Sequence, residues 1–110
     1  MVIATRVLKL RNPKGDIEIP IRIFAPERLE IDWGCRVEID WPDEKLARMA
    51  VGGDGVQALD LALKLVGAQV YASDYHEAGK LEWLEPGQGY GFPVPNNMRD
   101  MLIGDDKRYL

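Results

Sequence analysis

Four isoleucines at every second position, Ile17, Ile19, Ile21 and Ile23, alternate with Glu18, Pro20, Arg22 and Phe24. Side chains of a strand point alternately to its two faces, so this spacing requires a strand with one buried face and one wet face. An apolar stretch over residues 2–11 precedes it, and "NPKGD" between them supplies the Pro and Gly of a reverse turn. The two segments are therefore expected to form a β-hairpin. Pro20 has no N–H to give to a ladder, which places this strand at a sheet edge or at a bulge.

The same period returns further on. "APERLEIDWG" reads as a longer connection, after which Cys35, Val37, Ile39 and Trp41 alternate with Arg36, Glu38 and Asp40. Cys35 thus stands in a core row, where a thiol acts as a small hydrophobe. "PDEK" turns into a fourth strand at about residues 45–51. Short turns cannot join parallel neighbours, so the four strands are expected to form an antiparallel meander.

At "GGDGVQALDLALKLVGAQVYAS" the period changes to that of a helix, expected over residues 55–74. Asp54 is placed to cap its start, with Gln57 at the capping-box spacing. Gln57, Asp60, Lys64, Ala68, Tyr71 and Tyr75 fall on one narrow stripe, and Val56, Leu59, Leu61, Ala62, Leu63, Leu65, Val66 and Val70 cover most of the remainder. A surface helix needs an apolar arc of only about 100°, so this one must be covered on more than one side. The expected cover is a second copy of the chain in a homodimer. The competing cover is the C-terminal segment, with Phe92, Val94, Met98 and Met101, folded back within one chain. The expected core comprises Ile19, Ile21, Val37, Ile39, Leu59, Leu63 and Val66.

Gly79 is read as a helix stop, and "KLEWLE" as a fifth strand with Leu81 and Trp83 on its inner face. "PGQG" reads as a turn, "YGFPVP" as an extended segment, "NMRDMLI" as a short last helix capped by Asn97, and "GDDKRYL" as a polar tail. The whole is expected to be one α+β domain over 1–110: an antiparallel sheet of five or six strands packed on one long helix, with a short C-terminal helix.

Several kinds of chemistry are excluded by what the chain lacks. It has one Ser, one Thr, one His and one Cys, so hydroxyl and thiol nucleophiles are scarce and a His/Cys zinc site is out of reach. No metal and no cofactor is expected. The net charge of −4 and the absence of any Lys/Arg run argue against nucleic acid as a partner. The lone Cys35 suits a reducing compartment, Arg6 and Lys9 interrupt any signal-peptide core, and no apolar run approaches the ~18 residues of a membrane span. The expected location is the cytoplasm, with no membrane contact.

The motifs that remain lie mostly in one stretch. Ser73 and His76, three residues apart, lack the orienting group and oxyanion donors of a nucleophile–base pair; Ser73 and Asp74 are read as helix-end groups and His76 as solvated. "VGGDG" lacks the Walker and dinucleotide patterns and is read as a strand-to-helix turn needing positive φ. The run Gly87, Gly89, Gly91 lets the backbone pass close to something bulky, either Trp83 or a ligand. If a ligand site exists, it is expected at Tyr71, Tyr75, His76 and Tyr90.

At "EIDWP", "ALDLAL", "SDYHEAGKLEW" and "GYGFPVP" the chain resembles an uncharacterised family of small bacterial single-domain proteins that carry a domain of unknown function. The resemblance implies a stand-alone protein and brings no activity and no catalytic residue. In shape, a hairpin leading into "GGDGVQALDLAL" is similar to HicB-type antitoxins, without their basic DNA-binding extension. The functional expectation is a non-catalytic interaction module, an immunity- or antitoxin-like partner. The alternative is a small ligand-binding protein or enzyme using carboxylates, tyrosines and His76 beside the Gly-rich turn.

Overall fold

The computed structural model describes residues Met1–Leu110. The alternating segments form β1 (Val2–Leu10), β2 (Ile17–Phe24), β4 (Trp33–Asp40) and β5 (Lys45–Gly52), with a two-residue β3 (Glu27–Arg28) inside the connection between β2 and β4. Two further elements follow, helix α1 (Gly55–Tyr71) and a single turn α2 (Asp74–Glu77). The chain then makes a two-residue β6 (Leu81–Glu82), a 3-10 turn (Asn96–Met101) and helix α3 (Gly104–Tyr109).

All pairings are antiparallel. β5 lies at one edge, followed by β4, then β2 with β3 continuing along the same side of β4, then β1, and β6 at the other edge. The expected meander is present in its first four long strands. Counting the alternations, β5 and β6 run in the same direction at opposite edges, so the chain must cross the sheet between them. α1 begins that crossing, packed against β4 and β5. No helix is long and apolar enough to cross a membrane.

The core lies between the inner face of the sheet and α1. Leu8, Ile19, Ile21, Cys35, Val37 and Ile39 are fully buried there. α1 meets them with Ala58, Ala62, Val66 and Val70, one residue per turn and mostly small, so the helix sits close to the sheet. This corrects the expected helix face: Leu59 and Leu63 are only partly buried beside the core, whereas Tyr71, expected on the polar stripe, is 2% exposed. Large side chains would hold the helix away from the sheet, and small ones admit the covering segments.

Much of the apolar surplus of α1 is covered from within the chain, although Val56 and Leu61 stay exposed. Tyr90, Phe92, Val94 and Leu102 are buried against it as the C-terminal segment folds back. At Gly67 the approach is closest: a Cβ there would lie 1.9 Å from the Pro93 carbonyl oxygen. Most of the need for cover that suggested a dimer is met in this way by the intrachain segment, Met101 excepted.

Other expectations need correcting. β2 is an interior strand, but its pairing with β4 is confined to Ile21–Ile23, so at Pro20 it is paired with β1 alone and is locally an edge, without the alternative bulge. The register shift falls in β1, between Val2 and Ala4. The fifth strand is cut to Leu81–Glu82 because Leu84, with φ +61°, reverses the chain and leaves Trp83 half-buried. The last helix is a 3-10 turn with no Asn97 cap, and the "polar tail" is α3. The glycines of "VGGDG" avoid positive φ; Gly52 is small because a Cβ would strike the Ala58 backbone at 2.5 Å.

Candidate functional site

Local capping brings the aromatic groups together. The Asp54 carboxylate accepts from the Gln57 N–H at 2.8 Å and starts α1, as the spacing required. At its other end the Ser73 hydroxyl donates to the Val70 carbonyl (2.7 Å) and accepts from the His76 N–H (3.2 Å), so one side chain closes α1 and opens α2. Gly79, at φ +70°, stops α2. This corner sets the His76 ring edge-on to Tyr71 at 4.8 Å. Tyr90 arrives from the Gly-rich turn, 5.2 Å from Tyr71 and 5.4 Å from His76.

These three rings are joined by hydrogen bonds to a fourth group, Asp106 of α3. Its carboxylate, 3% exposed, accepts from the Tyr71 hydroxyl (2.5 Å) and from the Tyr90 and Gly91 N–H groups (2.8 Å each). The Tyr90 hydroxyl meets His76 Nδ1 at 2.5 Å and lies 3.4 Å from the Leu81 carbonyl. The glycine run builds this cradle. Gly89 has φ +86°, and a Cβ there would lie 2.3 Å from the Asp106 carboxyl carbon. A Cβ at Gly91 would meet the Trp83 ring at 2.6 Å. The bulky neighbours of the run are thus Trp83 and an internal carboxylate.

Burial sets the protonation states. It raises the Tyr71 and Tyr90 hydroxyls, Tyr90 to about 12, so both remain donors at neutral pH. It lowers His76, which favours the neutral imidazole; its Nδ1 shares a hydrogen bond with the Tyr90 hydroxyl. His76 is therefore not solvated, as expected from sequence, but half-buried. Tyr75 stands apart from the other three: its ring stacks on Trp41 at 5.2 Å and its hydroxyl donates to Asp43 at 2.8 Å.

Arg6 adjoins the cluster from β1. It occupies the inner row of that strand with Leu8 and Leu10, and its Nη1 donates to the Tyr90 carbonyl at 3.0 Å. The guanidinium lies 3.8 Å from the Trp83 ring centre and 4.8 Å from that of Phe92. Burial lowers its pKa, opposed by the nearby Asp106. Sequence reasoning missed both Arg6 and Asp106. Arg6 carried a signal, a charge at an inner-row position of an alternating strand. Asp106 had only the glycine run, sixteen residues upstream of it at Tyr90, to announce a carboxylate.

Residues 4–94 match the family model described as a domain of unknown function, DUF6968. No curated protein and no solved structure matches the chain.

Proposed function

Because the chain belongs to the DUF6968 family, whose domain is of unknown function, we propose from its own geometry that it acts as a non-catalytic cytoplasmic interaction module and that it binds a second copy of itself. The carrying observation is the edge strand β5. This eight-residue strand pairs on one side only, with β4, and leaves Met49 and Val51 exposed. An unpaired strand edge is a template for another strand.

The alternation restricts the self-pairing to registers that preserve the faces of the strand. A two-fold axis perpendicular to the sheet keeps outer residues with outer residues, and among the registers this allows we place it at Met49, the centre of the exposed row, so that Met49 faces its own copy and Ala47 faces Val51. Arg48 then faces Ala50, and no like charges oppose each other. The remaining chemistry supports a non-catalytic reading. Asp106, Tyr71, Tyr90 and His76 are taken up by one another, and every buried side-chain polar atom has a hydrogen-bond partner. The tyrosine and histidine positions weighed as a ligand site accordingly serve as packing in this proposal. Cys35, buried and unpaired, suits the reducing cytoplasm.

Sedimentation velocity at micromolar concentration tests the proposal. The expected species is twice the 12.4 kDa chain, reduced to a monomer by Met49→Lys, which sets two cations face to face at the axis while leaving the far-UV circular dichroism spectrum unchanged. A wild-type monomer, or a dimer indifferent to Met49→Lys, overturns it.

A further inference from the structure

We propose that Arg6 closes a binding site for a small organic carboxylate, in the slot between the free edge of β1 and the extended segment Gly91–Pro93. Only Lys9 and Leu10 of β1 pair with β6, so the earlier part of that strand has no strand neighbour on this side. Gly91, Phe92 and Pro93 flank it instead, and Pro93 has no N–H with which to close a ladder. The slot left between them has a volume of about 220 Å³, with Thr5 and Arg6 on one wall and Ile23, Leu63 and Phe92 among its apolar lining.

Arg6 supplies the charge, and its position is fixed before any ligand arrives. The Trp83 and Phe92 rings flank the guanidinium and Nη1 is held by the Tyr90 carbonyl, whereas Nε and Nη2 have no acceptor in the protein. The ion pairs of the chain all involve other residues. Asp106, the one nearby anion, has its carboxylate oxygens turned to Tyr71 and to the backbone N–H groups of Tyr90 and Gly91. A half-buried cation without a direct counter-ion gains from an incoming anion, and burial, which lowers the Arg6 pKa, strengthens that attraction. The planar guanidinium suits a carboxylate, whose two oxygens can take two parallel N–H bonds. The apolar walls select a short branched hydrocarbon tail over a bare inorganic anion.

The test is an NMR titration of isotope-labelled protein with isovalerate, isovaleramide and inorganic phosphate at constant ionic strength, following the Arg6 Nε–H and Leu63 methyl signals. Isovalerate is expected to give saturable shifts at both, with Kd on the order of 1 mM for a ligand of that size; the neutral amide should give none and phosphate a weaker response. Arg6→Gln should weaken isovalerate at least tenfold. Because that change also removes the bond to Tyr90, Leu63→Trp serves as an independent variant: it fills the slot from a half-exposed helix position and should abolish binding with the circular dichroism spectrum unchanged. The proposal is overturned by an absence of saturable shifts, by equal responses to acid and amide, by phosphate binding as tightly as isovalerate, or by undiminished binding in both variants.

Discussion

His76 is the only histidine in the chain, and its surroundings make it a sensor of acid through stability. Its Nδ1 shares a hydrogen bond with the Tyr90 hydroxyl, within a pocket that also holds the edge of Tyr71. In the protonated ring both nitrogens carry a hydrogen, so the Tyr90 hydroxyl can only accept at Nδ1 and its own proton is left to the Leu81 carbonyl, 3.4 Å away. Burial lowers the folded-state pKa below the unfolded value of about 6.5. The unfolded chain therefore takes up the proton first, so stability is complete above about pH 6.5 and is lost as pH falls from there through the lowered folded value. Urea unfolding at a series of pH values should show this decline. The variant His76→Asn, which keeps an acceptor near the Nδ1 position, should flatten the curve between pH 6.5 and 5. A wild-type curve that is already flat there, or one that Asn does not change, contradicts a neutral buried imidazole. Sequence reasoning grouped this histidine with Tyr71, Tyr75 and Tyr90; the structure brings it together with Tyr71 and Tyr90 and leaves Tyr75 apart, because the contacts depend on where the Gly-rich turn packs.

At the scale of elements, α1 and the C-terminal segment are fitted to each other through Gly67. Replacing an interior helix glycine by Ala ordinarily stabilises by up to about 1 kcal/mol. Here the added Cβ would lie 1.9 Å from the Pro93 carbonyl oxygen and 3.1 Å from Val94. Backbone must move to admit it, so the sign should reverse, with Gly67→Ala destabilising by about 1–3 kcal/mol in denaturant unfolding, as overpacked sites do. A gain in stability would mean that the segment does not lie on the helix. The episode indicates which parts of the fold were legible. β2 and β4 were readable because one face is wet and the other dry, and period two records that contrast directly; β5, whose outer row holds Ala47, Met49 and Val51, was legible only from the turn that precedes it. Asp54 and Gln57 marked the helix start by local chemistry. The buried side of α1 was misread because its surplus of apolar residues is shared between two covers. Hydropathy ranks Leu59 and Leu63 above Ala58 and Ala62, whereas close packing against β4 and β5 demands the smaller pair. β6 was expected but overextended, because its pairing with Lys9 and Leu10 ends where Leu84 reverses the chain, and α3 escaped because it is short and held by partners distant in sequence, the turn and Tyr71.

The molecule as a whole is a flat body of 47 × 28 × 19 Å, about the thickness of one sheet and one helical layer, since packed layers are spaced by roughly 10 Å. So thin a core depends on ties between its covering segments, and Asp106 is the main one. Through a single carboxylate it connects α3 to the end of α1, by Tyr71, and to the Gly-rich turn, by Tyr90 and Gly91. Tyr90 in turn reaches α2 through His76 and β1 through Arg6. Asp106→Asn keeps the shape but replaces one acceptor by an NH2 group, which must face the Tyr71 hydroxyl or a backbone N–H donor. Leaving a buried donor without its acceptor costs about 1–3 kcal/mol, and for a domain of this size that corresponds to a fall in Tm of roughly 4–20 °C. The distribution of the loss is the sharper test. If Asp106 ties the covering layer together, hydrogen exchange should accelerate at Tyr90 and Gly91, at Ala72 and Ser73 beyond the end of α1, and at Leu110, whose N–H donates to the Asp106 carbonyl, while thermal unfolding remains one transition at a lower temperature. If α3 were instead an appendage lying on a finished fold, faster exchange would be confined to Lys107–Leu110 and the Tm would not move.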